Sequence, residues 1–295
     1  MRLLDFWILM LCCLFWGGNF VVGAWALGNN PVPPFMLAAV RAAIVLIFMG
    51  VFLLKPLPEK FGLLLIVGLC VGALHLGFLY TGLQTASASG ASILSQMLIP
   101  LATLMSVFFL KEKIGLVRGG AIAAAFVGVI VMVYEPGALS LDINLVYIFC
   151  AYVSLALGSV LMRKVGNIDW RIYVSWMSLL LLMAGIIASA AFETGQVETF
   201  RENSVPLFLA AFYAALAVSI FAHGQYFRLL QSYDVAVIVP LTIMTTVFAT
   251  ILGVILLDET LEPRYIVGAA IILPCVFIIA RRQKSAKTAP EFIES

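Results

Sequence analysis

Tyr80-Thr-Gly-Leu-Gln84 and, further on, Leu110-Lys-Glu112-Lys-Ile114 bound a stretch that the chain uses twice. Slid along itself without a gap, the sequence places Phe227-Arg-Leu-Leu-Gln231 on the first segment and Leu257-Asp-Glu259-Thr-Leu261 on the second. Between them Leu94, Met97, Ala102, Thr103 and Val107 fall on Leu241, Met244, Ala249, Thr250 and Val254. Aliphatic matches are common by chance in an apolar chain. Gln and Glu are scarce here, and their recurrence at one spacing is what points to an internal duplication.

The solvent of this chain is a bilayer. Of 295 residues 63% are hydrophobic and 11% charged, with mean hydropathy +1.12, whereas a soluble domain is about 25% charged. Apolar runs and their breakers give about ten spans of the roughly 20 residues that a membrane helix needs: 6–27, 33–54, 62–84, 91–110, 116–134, 144–163, 170–192, 205–231, 235–257 and 263–281. The runs are too long and too continuously apolar for barrel strands. Gly28-Asn-Asn-Pro-Val-Pro-Pro34 stops the first span because proline lacks a donor and clashes with the preceding turn. Thr85 to Gly90, Glu135-Pro-Gly137 and Ser232-Tyr-Asp234 read as polar turns, and 193–204 as the longest loop. The N-terminal run has no cleavage pattern and reads as a retained first span, and residues 283–295 as a disordered cytoplasmic tail.

With the N-terminus in the cytoplasm, every loop and tail lysine or arginine falls inside except Arg201 and Arg264, which favours both termini cytoplasmic. The expected fold is therefore an all-α membrane protein of two five-helix inverted repeats, 1–140 and 141–282. Five is odd, so the second copy enters upside down. The loops agree: Lys111-Glu-Lys113 is basic and its counterpart Asp258 to Glu262 is acidic. Inverted repeats of this kind are a common construction of secondary transporters, one half rocking on the other around a site near the midplane.

Polar groups inside spans are costly and mark candidate sites. None of the 15 acidic residues lies near the midplane, which argues against proton coupling through a buried carboxylate. Arg41 is the one intramembrane charge, about 12 Å inside its span at 1.5 Å per residue. It reads either as a fork for a substrate carboxylate or phosphate, or as a structural group that snorkels or caps carbonyls. His75 and His223, the only histidines, occupy nearly matching places on small-residue stripes, Gly68-Gly72-His75 and Ala215-Ser219-His223 with Tyr226. Each reads as an interhelical hydrogen bond or as a cavity group.

Spans four and nine carry polar faces: Ser92, Gln96, Thr103 and Ser106 with Pro100, then Thr242, Thr245, Thr246 and Gly253 after Pro240. The prolines are hinge candidates. Span one shows Cys12, Trp16, Asn19 and Gly23 on one face. With Tyr80, Trp176 and Tyr226, Trp16 and Asn19 would line an aromatic small-molecule cavity; plain core packing is the alternative. The five cysteines sit in apolar runs without CxxC pairing, so neither a disulfide framework nor a metal site is indicated. No enzyme motif such as HExxH, GxSxG or a P-loop occurs.

Phe15-Trp16-Gly17-Gly18-Asn19-Phe20 resembles the W-G-x-N/S-F opening of the EamA-type carriers of the drug/metabolite transporter superfamily. The two Leu-x-Glu-x-Ile/Leu turns are similar to that family's once-per-repeat L-x-E-x-L turn, and Gly119-Gly120 and Gly268 fit the glycine-bearing helix after it. Pro274 and the loss of the opening motif in span six, with Gly158-Ser159 its nearest remnant, depart from the pattern. The resemblance implies a central cavity with spans five and ten peripheral, Glu112 and Glu259 as structural turn residues, and no cofactor. Within the superfamily the chain looks most like the YddG-type exporters of amino acids and toxic compounds. The expected function is export of amino acids, aromatic and neutral, or related small metabolites across a bacterial inner membrane. The other readings are a nucleotide-sugar or phosphorylated-metabolite carrier, a drug exporter and, from another class, a membrane-embedded enzyme or receptor. The expected partners are an amino-acid-like molecule and lipid; nothing in the chain calls for nucleic acid or a second copy.

Overall fold

The computed structural model describes residues 1–111, 114–135, 140–166, 168–233 and 235–282, without the side chains of 135, 140, 230, 231, 235, 236, 281 and 282. Glu112 and the expected tail, 283–295, lie outside the described residues. Among the described residues 10 helices are long and apolar enough to cross a membrane. They are α1 Leu3–Asn29, α2 Pro34–Leu54, α3 Phe61–Gly82, α4 Ala88–Leu110, α5 Leu116–Val133, α6 Ile143–Val165, α7 Trp170–Phe192, α8 Ser204–Leu229, α9 Val237–Leu257 and α10 Pro263–Ala280. Their outward faces are aliphatic and aromatic, as with Ile47, Phe48 and Val51 on α2 and Ile186 and Ile187 on α7, which is what contact with acyl chains requires.

Two limits differ from the sequence reading. α4 starts inside the stretch expected to be a polar turn, because Ser87 accepts a hydrogen bond from the Gly90 N–H and a carboxylate from α9's end meets the first amides. The loop 193–204 contains a short helix, Gln196–Glu202, launched from Gly195 at φ 80°. The connection between α5 and α6 carries a two-residue antiparallel pair, Tyr134–Glu135 with Ser140–Leu141.

The helices pair with a two-fold pattern. α1 packs on α9 as α6 packs on α4; α1 packs on α8 as α6 packs on α3; α2 pairs with α7 and α5 with α10. Each contact is the image of another, or of itself, under exchange of the two copies. α5 and α10 pack chiefly on each other, through Gly128 and Gly268: a Cβ added at Gly268 would strike Met132 Cγ, and one at Gly128 would sit 2.7 Å from Ile272 Cγ1. The glycines read from the sequence, Gly119 and Gly120, meet almost nothing. Gly128 is the glycine that the α5–α10 contact needs.

Both broken spans break within one residue of corresponding places. α4 is interrupted at Gln96-Met97 and α9 at Thr242-Ile243. Pro100 has no N–H for the Gln96 carbonyl, so the chain tightens: the amides of Gln96 and Met97 bond three residues back, to Ile93 O and Leu94 O at 3.1 and 3.0 Å. In α9 the amides of Thr242 and Ile243 do the same to Val239 O and Pro240 O, at 3.1 and 3.4 Å. The sequence reading has one continuous helix in each place. It also has no π-helical turns, yet α3 carries one at Leu69–Leu74 and α8 one at Tyr213–Ala222. Each ends directly before one of the chain's two histidines.

Candidate functional site

Arg41 is held by the helix that carries it. The first amides of α2 would be orphaned in an apolar setting. The Glu193 carboxylate, from the end of α7, accepts from Phe35 N at 2.6 Å and Met36 N at 3.1 Å. One and a half turns on, Arg41 is only 5% exposed. Its Nη1 donates to Tyr80 Oη on α3 at 2.7 Å, and its Nη2 donates to Ser219 Oγ on α8 at 2.9 Å. It neither snorkels to the surface nor caps a helix. It joins three spans of both repeats through two neutral hydroxyls, and among the described residues no carboxylate pairs with it.

α8 carries the site onward. His223 follows Ser219 by four residues, and its ring turns to α1. The His223 ring lies 5.7 Å from that of Trp16, and the Tyr226 ring meets Trp16 edge-on at 5.0 Å. Arg41 lies within electrostatic reach of both His75 and His223. Among the described residues the buried Trp16 indole N–H has no acceptor, and one turn further along α1 the half-buried Asn19 has no hydrogen-bond partner. The two glycines beside Trp16 explain why the aromatic group sits here. A Cβ on Gly17 would be 2.8 Å from both Thr245 O and Ala249 N of α9, and one on Gly18 would strike the Tyr213 hydroxyl, which donates to Phe15 O at 3.0 Å. In α6, Gly158 faces Val71 and Cys70 of α3 as Gly18 faces Tyr213 of α8, so the remnant of the motif keeps its packing half.

Not every candidate joins this group. Tyr80 does, as the Arg41 acceptor. His75 points elsewhere: Gly68 and Gly72 of its stripe rest on Met177 and Leu180 of α7, but the π turn between shifts the register and His75 Nδ1 hydrogen-bonds Ala151 O of α6 at 3.0 Å, its ring edge-on to Tyr152. Gln96, at the break of α4, donates to Thr246 Oγ1 of α9 at 2.9 Å, and that hydroxyl donates to Ser92 O; it ties the broken spans together. Trp176 packs edge-on against Phe61 near the opposite end of α3 from Tyr80. Pro100 and Pro240 stand four residues after and two before the start of their breaks. Glu259 accepts from Ala88 N, Ser89 N and Ser89 Oγ, capping α4; its counterpart Glu112 is outside the described residues. Two recesses are lined by other residues of these spans. One, of about 410 Å³, is apolar and lies between α2, α3, α6 and α7 around Phe35, Gly77 and Tyr147. The other, about 500 Å³, lies at Trp170, Phe221, Gly224, Gln225 and Arg228.

The description of the EamA-like transporter family matches residues 4–134 and again 143–281. The chain belongs to this family. As an EamA-like transporter it spans the membrane several times, and among its curated relatives are two named as probable amino-acid metabolite efflux pumps. The Escherichia coli one is 25% identical over 278 residues, covering 91% of this chain and 92% of its own; the Salmonella typhimurium one is 24% identical over 283 residues, covering 93% and 94%. A WAT1-related chloroplastic protein of Arabidopsis thaliana is 27% identical over 299 residues, covering 94% of this chain and 69% of its own. A crystal structure at 18% identity superposes over 96% of this chain and 100% of its own with TM-score 0.62, a likeness of fold.

Sequence reasoning did not place Ser219 in the site of this EamA-like transporter, although it shares a stripe with His223. The missing step was its partner: only the three-dimensional approach of α2 to α8 turns a small packing residue into an arginine acceptor. Thr246, read from the sequence only as part of a polar face, and Tyr152 likewise gain their partners, Gln96 and His75, only in three dimensions.

Proposed function

We propose that this EamA-like transporter is a secondary carrier of a bacterial inner membrane, both termini cytoplasmic, that exports amino-acid-like metabolites by alternating access of its halves, 1–140 and 141–282. It is a carrier and not an enzyme. The observation that carries the reading is the central group on α1, α2, α3 and α8. There an unsatisfied indole N–H, two aromatic rings and an imidazole come together, four residues along α8 from the Ser219 hydroxyl to which a buried arginine donates. An apolar, aromatic lining with a few convergent polar groups suits a small metabolite. An unpaired buried donor suits a ligand acceptor that arrives and leaves. The breaks in α4 and α9, with Pro100 and Pro240 beside them, supply bending points at corresponding places in the two halves.

Cells that overproduce the protein and are preloaded with labelled phenylalanine should lose the label faster than cells carrying the Trp16→Ala variant at equal membrane abundance. Equal rates of loss would count against the reading.

A further inference from the structure

A buried cation in the membrane is stable only when something answers its charge. Arg41 is answered by two hydroxyls and nothing else: its guanidinium has five N–H groups, of which Nη1 serves Tyr80 and Nη2 serves Ser219. No Asp or Glu in the described residues reaches it, because the carboxylates are committed at the helix ends. Glu193 caps α2, Glu259 caps α4 and Asp5 pairs with Arg228. The two imidazoles within reach of Arg41 offer no negative charge. The centre thus holds one positive charge without a counter-charge, in a setting of low polarity, with its planar fork only partly used.

We propose that the missing charge arrives with the substrate: the central site takes a single carboxylate on Arg41 and leaves the amino group of an amino acid unread by charge. This rests on the reading of the central group as the transport site and names what that site selects. A carboxylate matches the guanidinium fork with two parallel hydrogen bonds. A phosphate, with close to two charges, would leave one unanswered beside a single arginine. The carboxylate takes the N–H groups now held by Tyr80 and Ser219, and so loosens the one side-chain link that ties α2 to α3 and α8 together. The remainder of the substrate reaches along α8 toward Trp16 and Tyr226, where ring faces and edges accept an apolar or aromatic body. Among the described residues no carboxylate stands there for an ammonium group. Amino acids and their deaminated 2-oxo acids are therefore taken alike, and amines without a carboxylate are not.

The test uses the purified full chain in detergent and four compounds of one skeleton: phenylalanine, phenylpyruvate, phenylalanine amide and phenethylamine. Calorimetric titration should give binding for the first two, with affinities within about tenfold of each other, and none for the two lacking a carboxylate. In Arg41→Gln both carboxylates should weaken by about tenfold or more. Binding of phenethylamine as tight as that of phenylpyruvate, unchanged affinities in Arg41→Gln, or binding of inorganic phosphate in place of the carboxylates would each overturn the proposal. Should Arg41→Gln fail to fold, Tyr80→Phe decides. Removing the competing hydroxyl frees an N–H, so both carboxylates should bind more tightly, and weaker binding contradicts the proposal. Arg41-dependent binding without any solute movement in vesicles would sink the transport reading and leave this one standing. Transport that ignores Arg41→Gln would do the reverse.

Discussion

Lys111 and Asp258 hold the same left-handed backbone, φ 55° and 52°, at corresponding places in the two copies. Among the described residues they are the only non-glycine residues with positive φ. Each ends a broken span, and each turns its N–H back to a carbonyl five residues earlier, Ser106 O and Gly253 O. Opposite charges on one backbone conformation are what the proposed inverted arrangement, with its two copies of this turn on opposite sides, should carry. This conformation costs a side chain about 1–2 kcal/mol and costs glycine nothing comparable. Lys111→Gly and Asp258→Gly should therefore each stabilise the protein, by up to about 1 kcal/mol, and by similar amounts. Thermal unfolding in detergent checks this; a large loss at either position would contradict the shared geometry.

Glu259→Ala should remove the acceptor for two α4 amides and the Ser89 hydroxyl. Hydrogen bonds to a charged partner are worth roughly 1.5–3 kcal/mol, so unfolding should shift by at least that order. Glu193→Ala should act alike on α2. Because α2 carries Arg41, this variant should also weaken substrate binding, whereas Glu259→Ala should chiefly lower stability. Binding measured at a temperature where both variants are folded separates the two.

Gly17→Ala drives a methyl into α9 backbone, which cannot move aside locally, and should destabilise by about 1–3 kcal/mol. Gly18→Ala meets a side-chain hydroxyl instead, that of Tyr213. Adding Tyr213→Phe to Gly18→Ala should recover part of the loss, while the same addition to Gly17→Ala should recover none. Equal behaviour of the two glycines would show that the packing is not as described.

Most of the fold is readable in the sequence because its signals are local. Apolar runs, Pro33-Pro34, Pro56 and the charged turns set the spans to within a few residues, and the repeated Glu turn sets the duplication. What the sequence does not carry is who faces whom. His75 hydrogen-bonds a backbone carbonyl, which every residue has, so nothing in Ala151 announces it. Trp176 reads as a cavity candidate by its residue type within an apolar span, but residue type gives no depth and no neighbour, and the side chain packs on Phe61 instead. The π turns before His75 and His223 rotate the helical segments C-terminal to them, and a reading at 3.6 residues per turn runs straight through.

The two histidines should therefore separate in mutagenesis. His75→Ala removes one of the hydrogen bonds between α3 and α6 and should cost about 1–3 kcal/mol of stability. Among the described residues His223 has no hydrogen-bond partner on another span, and it stands against Trp16, so His223→Ala should lower transport more than it lowers stability. The opposite pattern would exchange their roles.

The most direct test of the whole account is uptake of radiolabelled phenylalanine into proteoliposomes of the purified protein, with and without an imposed pH gradient, beside Trp16→Ala. With no acidic residue near the midplane of the spans, the account predicts saturable uptake that ignores the gradient and falls in the variant. The absence of saturable uptake of phenylalanine or any other amino acid, or uptake that Trp16→Ala leaves untouched, would contradict it.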